Sequence, residues 1–246
     1  MRRVLALVLV LAGCGTTQPS TSGGEITVFA AASLTESFQQ LGEEFEAANP
    51  GTKVSFNFAG SSALAQQLNQ GAPADVFASA APANMKQVTD TGTITATPTT
   101  FAKNTLQIAV PKGNPGKITG LADFAKGDLK IALCAEQVPC GAAAKKVFAA
   151  AKITPSPDTL EQDVKAVLTK VSLGEVDAAL VYRTDVQAAG DKVEGEDFAE
   201  ASSAVNDYPI APLAKAPNAA TAKAFVDYVL SEKGKKVLAA AGFTAP

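Results

Sequence analysis

Short apolar runs alternate with amphipathic stretches along most of the chain. Six of these runs have the length and composition of strands, and they lie at 26–30, 54–58, 75–79, 106–110, 130–134 and 178–182. Helical periodicity fills most of the intervals, and in the first of them Phe38, Leu41 and Phe45 form one apolar stripe. Strands separated by helices pair in parallel, which predicts an α/β fold.

The first predicted strand runs directly into the first predicted helix through Ser33-Leu34-Thr35-Glu36. The first N–H groups of a helix have no partner within it and carry the positive end of the helix dipole, so such a junction can bind an anion. In α/β sheets, ligands bind beyond the carboxyl ends of strands, where these junctions lie. The same Ser-x-x-Glu spacing is typical of a capping box, in which the serine bonds its own helix.

Two proline-marked segments interrupt the alternation of strands and helices. Residues 95–116 and 206–218 each contain an extended stretch without a helix of its own. We interpret them as outward and return crossings between two lobes. Lobe 1 is then predicted to comprise residues 26–106 and 208–246, and lobe 2 residues 107–207, each with a mainly parallel sheet flanked by helices.

The N-terminus has the layout of a secretory signal. Two arginines precede an apolar run, Val4 to Leu11, that is too short to span a bilayer. The following LAGC sequence is similar to a bacterial lipoprotein cleavage site, and the alternative is an ordinary signal with an incidental cysteine. We expect residues 1–13 to be removed, Cys14 to carry lipid, and residues 14–25 to form a polar tether, which places the protein outside the cytoplasm and anchors it to the cell membrane.

Composition narrows the classes of function. The chain has 246 residues, 21 of them basic and 24 acidic, with no histidine and a formal net charge of −3. Because the basic residues are scattered among acidic ones, we expect no nucleic-acid binding. An activated serine would lack its usual histidine base, and the chain has no Ser-x-x-Lys or Walker motif, so we expect no enzyme. Paired carboxylates for glycoside chemistry stay open as an alternative.

Cys134 and Cys140 are the two cysteines other than Cys14. An even pair in an exported domain predicts a disulfide, and the alternative is two small buried thiols. Two sulfurs without histidine make a poor metal site, so we predict no direct cation ligands and no cofactor.

Several separated segments resemble the molybdate-binding proteins of bacterial ABC importers. They are, in chain order, residues 29–34, 58–80, 138–144, 173–185 and 241–246. The resemblance covers essentially the whole mature chain. It implies a periplasmic-binding-protein clamshell, here expected as a monomer, that closes on molybdate or tungstate and delivers it to the transmembrane subunits of an ABC permease. The alternative ligand is a sulfate-type oxyanion, and the alternative class is a surface hydrolase or adhesion domain.

The resemblance also implies five ligand-binding residues: Ser33, Ser61, Cys140, Val164 and Tyr182. The serines and the tyrosine would offer hydroxyl groups, and the other two would offer main-chain N–H groups at helix starts, although plain helix initiation is the alternative for those two. Cys140 stands where the family commonly has alanine, so a disulfide there could reshape the loop.

Which of two adjacent serines, Ser61 or Ser62, faces the cleft stays open. A site of neutral donors rejects monohydrogen phosphate, because the phosphate proton would be left unpaired at a cost of about 1–3 kcal/mol. Sulfate carries no proton, so only the size of the cavity can exclude it.

We expect Cys134 and Cys140 to be bridged in the exported protein, since an oxidising compartment preserves disulfides. Mass spectrometry after alkylation without reductant measures this directly. Labelling of both thiols in correctly exported material would contradict the bridge.

Overall fold

The computed structural model describes residues 23–246. The predicted signal sequence, Cys14 and most of the predicted tether lie outside the described residues. Within 23–246, helices that combine the length and the apolar character needed to cross a membrane do not occur.

Strands and helices alternate along the described chain. The strands are β1 (Glu25–Ala31), β2 (Lys53–Ala59), β3 (Val76–Ala78), β4 (Thr99–Asn104), β5 (Leu106–Pro111), β6 (Ile131–Cys134), β7 (Thr159–Glu161), β8 (Ala178–Tyr182), β9 (Val193–Glu196) and β10 (Asn206–Pro212). The α-helices are α1 (Thr35–Ala48), α2 (Ser61–Asn69), α3 (Pro82–Thr89), α4 (Pro139–Ala151), α5 (Val164–Ser172), α6 (Arg183–Ala189), α7 (Ala219–Leu230) and α8 (Glu232–Ala240).

The strands form two five-stranded sheets, and we call each sheet with its helices a lobe. The first sheet has the order β2-β1-β3-β10-β4 and the second the order β7-β6-β8-β5-β9. In the first sheet, β1 pairs in parallel with β2 and β3, while β10 is antiparallel to β3 and β4. In the second, β6 pairs in parallel with β7 and β8, while β5 is antiparallel to β8 and β9.

The chain crosses between the lobes twice. It leaves the first sheet at the end of β4, enters the second at Leu106, and returns to the first at Asn206. The predicted α/β class and two-lobed architecture are confirmed. The sheets are more mixed than the alternation of strands and helices indicates. One reason is that the outgoing strand β4 and the returning strand β10 lie side by side and therefore run in opposite directions.

Each lobe has its own apolar core. In the first, the predicted stripe of α1 is buried, and the Phe38 ring lies 5.7 Å from Phe101 and 6.2 Å from Phe225. In the second, Phe124 and Phe148 meet with their rings 5.6 Å apart. Each buried aromatic side chain stabilises the fold by about 1.5–3 kcal/mol. The two cores therefore hold the helices against the sheets of each lobe.

Candidate functional site

One small cavity lies where the two lobes meet. Residues at the ends of β1, β2 and β8 and at the starts of α2, α4 and α5 line it, and its volume is about 10 Å³. Two larger grooves lie on the surface of the first lobe around α3, and among the described residues neither touches the second lobe. Another cavity lies between Ser33 and Glu36 of the first lobe and Thr184 and Gln187 of the second. The small cavity is the one at which helix starts from both lobes converge.

The five residues implied by the resemblance all line this cavity: Ser33, Ser61, Cys140, Val164 and Tyr182. The two serines come from the first lobe, where one follows β1 and the other begins α2. The other three come from the second lobe, in the first turns of α4 and α5 and at the end of β8. The structure brings the five together, and their contact with a ligand stays a prediction.

Three α-helices start at the cavity. The first N–H groups of α2, α4 and α5 have no acceptor within their own helices and carry the positive end of the helix dipole. Among the described residues no lysine or arginine lines the cavity. Asp163 is the carboxylate at its edge, and it caps α5 by accepting from Ala166 N at 2.9 Å. The site can therefore hold an anion by main-chain donors.

The Ser61 hydroxyl accepts a hydrogen bond from the backbone. Its oxygen accepts the N–H of Ala80 at 3.0 Å, and a backbone N–H can only donate. The hydroxyl proton is therefore free to point into the cavity. Ser61 lines the cavity and Ser62 does not, so the first of the two serines faces the cleft.

The Ser33 hydroxyl does not cap its own helix. Helix α1 begins at Thr35 without a side-chain cap, and Thr35 Oγ1 donates to Ala32 O at 2.7 Å. Ser33 Oγ instead lies 2.9 Å from Tyr208 Oη. The capping-box alternative is therefore wrong, because the 3-10 turn before α1 directs this serine toward β10.

Tyr182 presents a spare donor. The side chain is buried, and its Oη has no hydrogen-bond partner among the described residues. Burial raises the pKa of this phenol well above its ordinary value, so it stays protonated. A buried hydroxyl without a partner costs about 1–3 kcal/mol, which a bound acceptor would recover.

The predicted disulfide is present. Cys134, at the end of β6, is bonded to Cys140 in the first turn of α4, with the two Cα atoms 5.7 Å apart. A Cβ added at Gly141 would overlap the backbone oxygen of Ala135, so the chain has little room between strand and helix. The bridge thus fixes the turn that carries the Cys140 N–H.

The lobes approach each other closely beside the cavity. A Cβ added at Gly60, on the first lobe, would overlap the backbone oxygen of Gln162 on the second. The φ of Gly60 is −59°, a value that any residue adopts, so the glycine serves the close approach rather than a special backbone conformation.

An ion-pair cluster joins the lobes next to the cavity. Lys165 Nζ, on α5, lies 2.8 and 2.9 Å from the Glu36 carboxylate on α1 and 3.1 Å from Asp185 Oδ1 on α6. Burial lowers the pKa of Lys165, but the two carboxylates outweigh it and the net direction is upward. Burial raises the pKa of Asp185 to about 6, although Lys165 opposes that shift. The ammonium therefore holds a carboxylate from each lobe.

The sequence pattern does not single out three residues that the structure places at or beside the cavity: Gly60, Lys165 and Tyr208. The sequence feature that could have drawn attention to Tyr208 is an aromatic residue inside the predicted crossing segment 206–218. Its partner Ser33 is 175 positions away, so no local spacing could join the two.

Comparison with known proteins places the whole described fold in one group. A family model described as bacterial extracellular solute-binding protein matches residues 26–244. The molybdate-binding protein ModA of Mycobacterium tuberculosis is 43% identical over 247 residues, covering 98% of this chain and 95% of that protein. ModA of Escherichia coli is 36% identical over 232 residues, covering 90% and 89%.

A solved structure shares the fold. The periplasmic molybdate-binding protein of Azotobacter vinelandii superposes with a TM-score of 0.76, covering 90% of this chain and 99% of that one, at 20% identity. This likeness supports the two-lobed architecture.

Burial of Asp185 should make the free energy of unfolding depend on pH. An aspartate in an unfolded chain has a pKa near 3.9, and the folded value is about 6. The folded protein binds the Asp185 proton more tightly than the unfolded chain does. The stability that this protonation contributes is therefore fully present below pH 3.9 and is lost as the pH rises through 6. Lowering the pH from 7 to 4 should stabilise the parent relative to Asp185→Asn by at most about 3 kcal/mol.

Urea unfolding at several pH values measures this difference, because the titration of other acids cancels between parent and variant. Asp191→Asn, on an exposed turn, is the matched control. A difference between parent and Asp185→Asn that stays constant, or grows with rising pH, would contradict the assignment.

Proposed function

Since the chain belongs to the family of bacterial extracellular solute-binding proteins, we propose that it captures molybdate and tungstate outside the cytoplasm and delivers them to an ABC permease. The observation that carries this proposal is the cavity itself. Two serine hydroxyls, the Tyr182 phenol and the starts of three helices converge on it from both lobes. Such a set of neutral donors suits a buried tetrahedral dianion.

The relatives support the choice of anion. Proteins of M. tuberculosis and E. coli named as molybdate-binding are 43% and 36% identical to this chain over most of its length. Molybdate and tungstate are fully deprotonated dianions, so every oxygen can accept a hydrogen bond. Monohydrogen phosphate has to donate one bond, and the main-chain N–H groups of the site cannot accept it.

Binding in this proposal is coupled to closure of the two lobes. The domains that move are those predicted from the sequence, 26–106 with 208–246 and 107–207. Ser33 and Ser61 bind from one side and Cys140, Val164 and Tyr182 from the other, so the anion is fully surrounded only when the lobes meet. The pair of Lys165 with Glu36 adds an attraction between the lobes in that state.

We propose that the protein works at the outer face of the cell membrane. Cys14 carries lipid that anchors the protein to the cell membrane, and residues 14–25 act as a tether. The protein works as a monomer, performs no catalysis, and meets the transmembrane subunits of the permease in its ligand-bound form. Sulfate is the second candidate ligand, because a site of neutral donors suits any fully deprotonated tetrahedral dianion.

Ser33→Ala and Ser61→Ala should each weaken molybdate binding about ten- to a hundredfold, because each removes a hydrogen bond to a charged ligand worth about 1.5–3 kcal/mol. Isothermal titration with molybdate, tungstate, sulfate and phosphate measures the affinities. Ser202→Ala, on an exposed 3-10 turn, is the control. Variants that bind as tightly as the parent would sink the proposed site, and a parent that prefers sulfate or phosphate would replace the ligand.

Gly60→Ala should prevent full closure, because its methyl group would overlap the Gln162 oxygen on the other lobe. We expect molybdate affinity to fall at least tenfold while the melting temperature of the unliganded protein changes little. Small-angle scattering with and without molybdate should show compaction in the parent and not in the variant. Gly127→Ala, where a Cβ meets nothing within 4 Å, is the control. Unchanged affinity and compaction in Gly60→Ala would contradict closure at this contact.

A further inference from the structure

The ion pair of Lys165 with Glu36 is joined through the chain to the small cavity on both sides. Lys165 directly follows Val164 in the first turn of α5, and Glu36 lies three positions after Ser33, in the first turn of α1. Within each lobe, the cavity residue and the charged residue therefore move together. A movement that separates Ser33 from Val164, and so opens the cavity, also separates Glu36 from Lys165.

Lys165 has a second carboxylate on its own lobe. Asp185 is fully buried, and its Oδ1 lies 3.1 Å from Lys165 Nζ. Its Oδ2 accepts from Tyr182 N at 3.1 Å, which fixes this carboxylate at the start of α6. A buried charge that loses its partner is costly, so the ammonium stays beside Asp185 when the lobes part. The second lobe thus holds Lys165 ready for Glu36 on the first.

The contact with Glu36 differs from an ordinary surface ion pair. Lys165 Nζ lies 2.8 and 2.9 Å from the two Glu36 oxygens, and the lysine side chain is only 23% exposed. Exposed pairs contribute little, because solvent screens them and two mobile side chains have to be ordered. Here Asp185 has already ordered one of the two. Within residues 23–246, no other ion pair joins the lobes.

We propose that Lys165 and Glu36 form a latch that sets how long the anion stays bound: the pair forms as the lobes close on the ligand and has to break before the ligand leaves. This inference rests on the proposed function. Both are positioning residues, since their side chains lie beside the small cavity rather than in its lining. The latch acts only in the closed state. It therefore slows dissociation, while association, which begins from the open state, changes little.

A double-mutant cycle isolates the contribution of the pair. Lys165→Met and Glu36→Gln each remove one charge with little change in side-chain size. Each charge also acts on the dianion directly, with opposite signs, but these single-site effects cancel in the cycle. Release of radioactive molybdate into an excess of unlabelled molybdate measures the dissociation rate. Isothermal titration gives the affinity, and the two together give the association rate.

We expect Lys165→Met to speed molybdate dissociation about three- to tenfold more in the parent than in the Glu36→Gln protein, because only in the parent does it break the latch. The association rates should show no such coupling. Lys223→Met with Asp227→Asn is the matched control, an exposed pair 2.6 Å apart within α7, and it should show no coupling in either rate. Absence of coupling in dissociation, or equal coupling in association, would overturn the latch.

Lys165→Met also leaves the Asp185 carboxylate without its cation. The cycle is therefore run a second time in an Asp185→Asn background, where no buried charge is left unpaired and the new side chain can still accept from Tyr182 N. Coupling in dissociation should persist, because Lys165 and Glu36 are both present. Its loss would assign the effect to Asp185 and overturn the latch. A parent protein that binds none of the oxyanions would instead overturn the proposed function.

Discussion

A buried dianion needs hydrogen-bond donors around it, because a charge without partners is far too costly inside a protein. The arrangement of both lobes fits this requirement. Strands of two separate sheets end at one cavity, and helices begin directly after most of them. The donors supplied there are main-chain N–H groups, which cannot change their charge and which the rest of each helix holds in place.

The features around the cavity keep these donors in place. The disulfide fixes the turn before α4, the Asp163 carboxylate holds the start of α5, and the absence of a side chain at Gly60 lets the lobes meet. Behind the serine hydroxyls lie two partners of different kinds, a backbone N–H for Ser61 and the Tyr208 phenol for Ser33. The backbone N–H can only donate to Ser61, whereas either hydroxyl can donate in the pair of Ser33 and Tyr208.

Local donors also reconcile an anion site with an acidic chain. The sequence has a formal net charge of −3, and among the described residues no lysine or arginine lines the cavity. Helix-terminal charge acts over about one turn, so its effect is confined to the cavity and does not depend on net charge. The ammonium group of Lys165, which follows the cavity residue Val164, is engaged by Glu36 and Asp185 and serves the contact between lobes.

The residue pattern alone was enough to predict the α/β class, the six principal strands, the two crossings and the disulfide. These follow from local periodicity, proline placement and cysteine count, each of which acts over a few residues. It also named five cavity residues, through resemblance in separated motifs rather than through spacing. It left β7 and β9 unassigned, because strands of three and four residues at sheet edges carry too little pattern.

Which groups meet could be known only from the tertiary structure. It turned Ser33 away from the capping role that its Ser-x-x-Glu spacing equally favours, chose Ser61 over Ser62, and set Lys165 between carboxylates of two lobes. Each of these outcomes depends on contacts between residues far apart in the chain. A hydroxyl has the same appearance in the sequence whether it donates or accepts, and only its neighbours in the folded protein fix that direction.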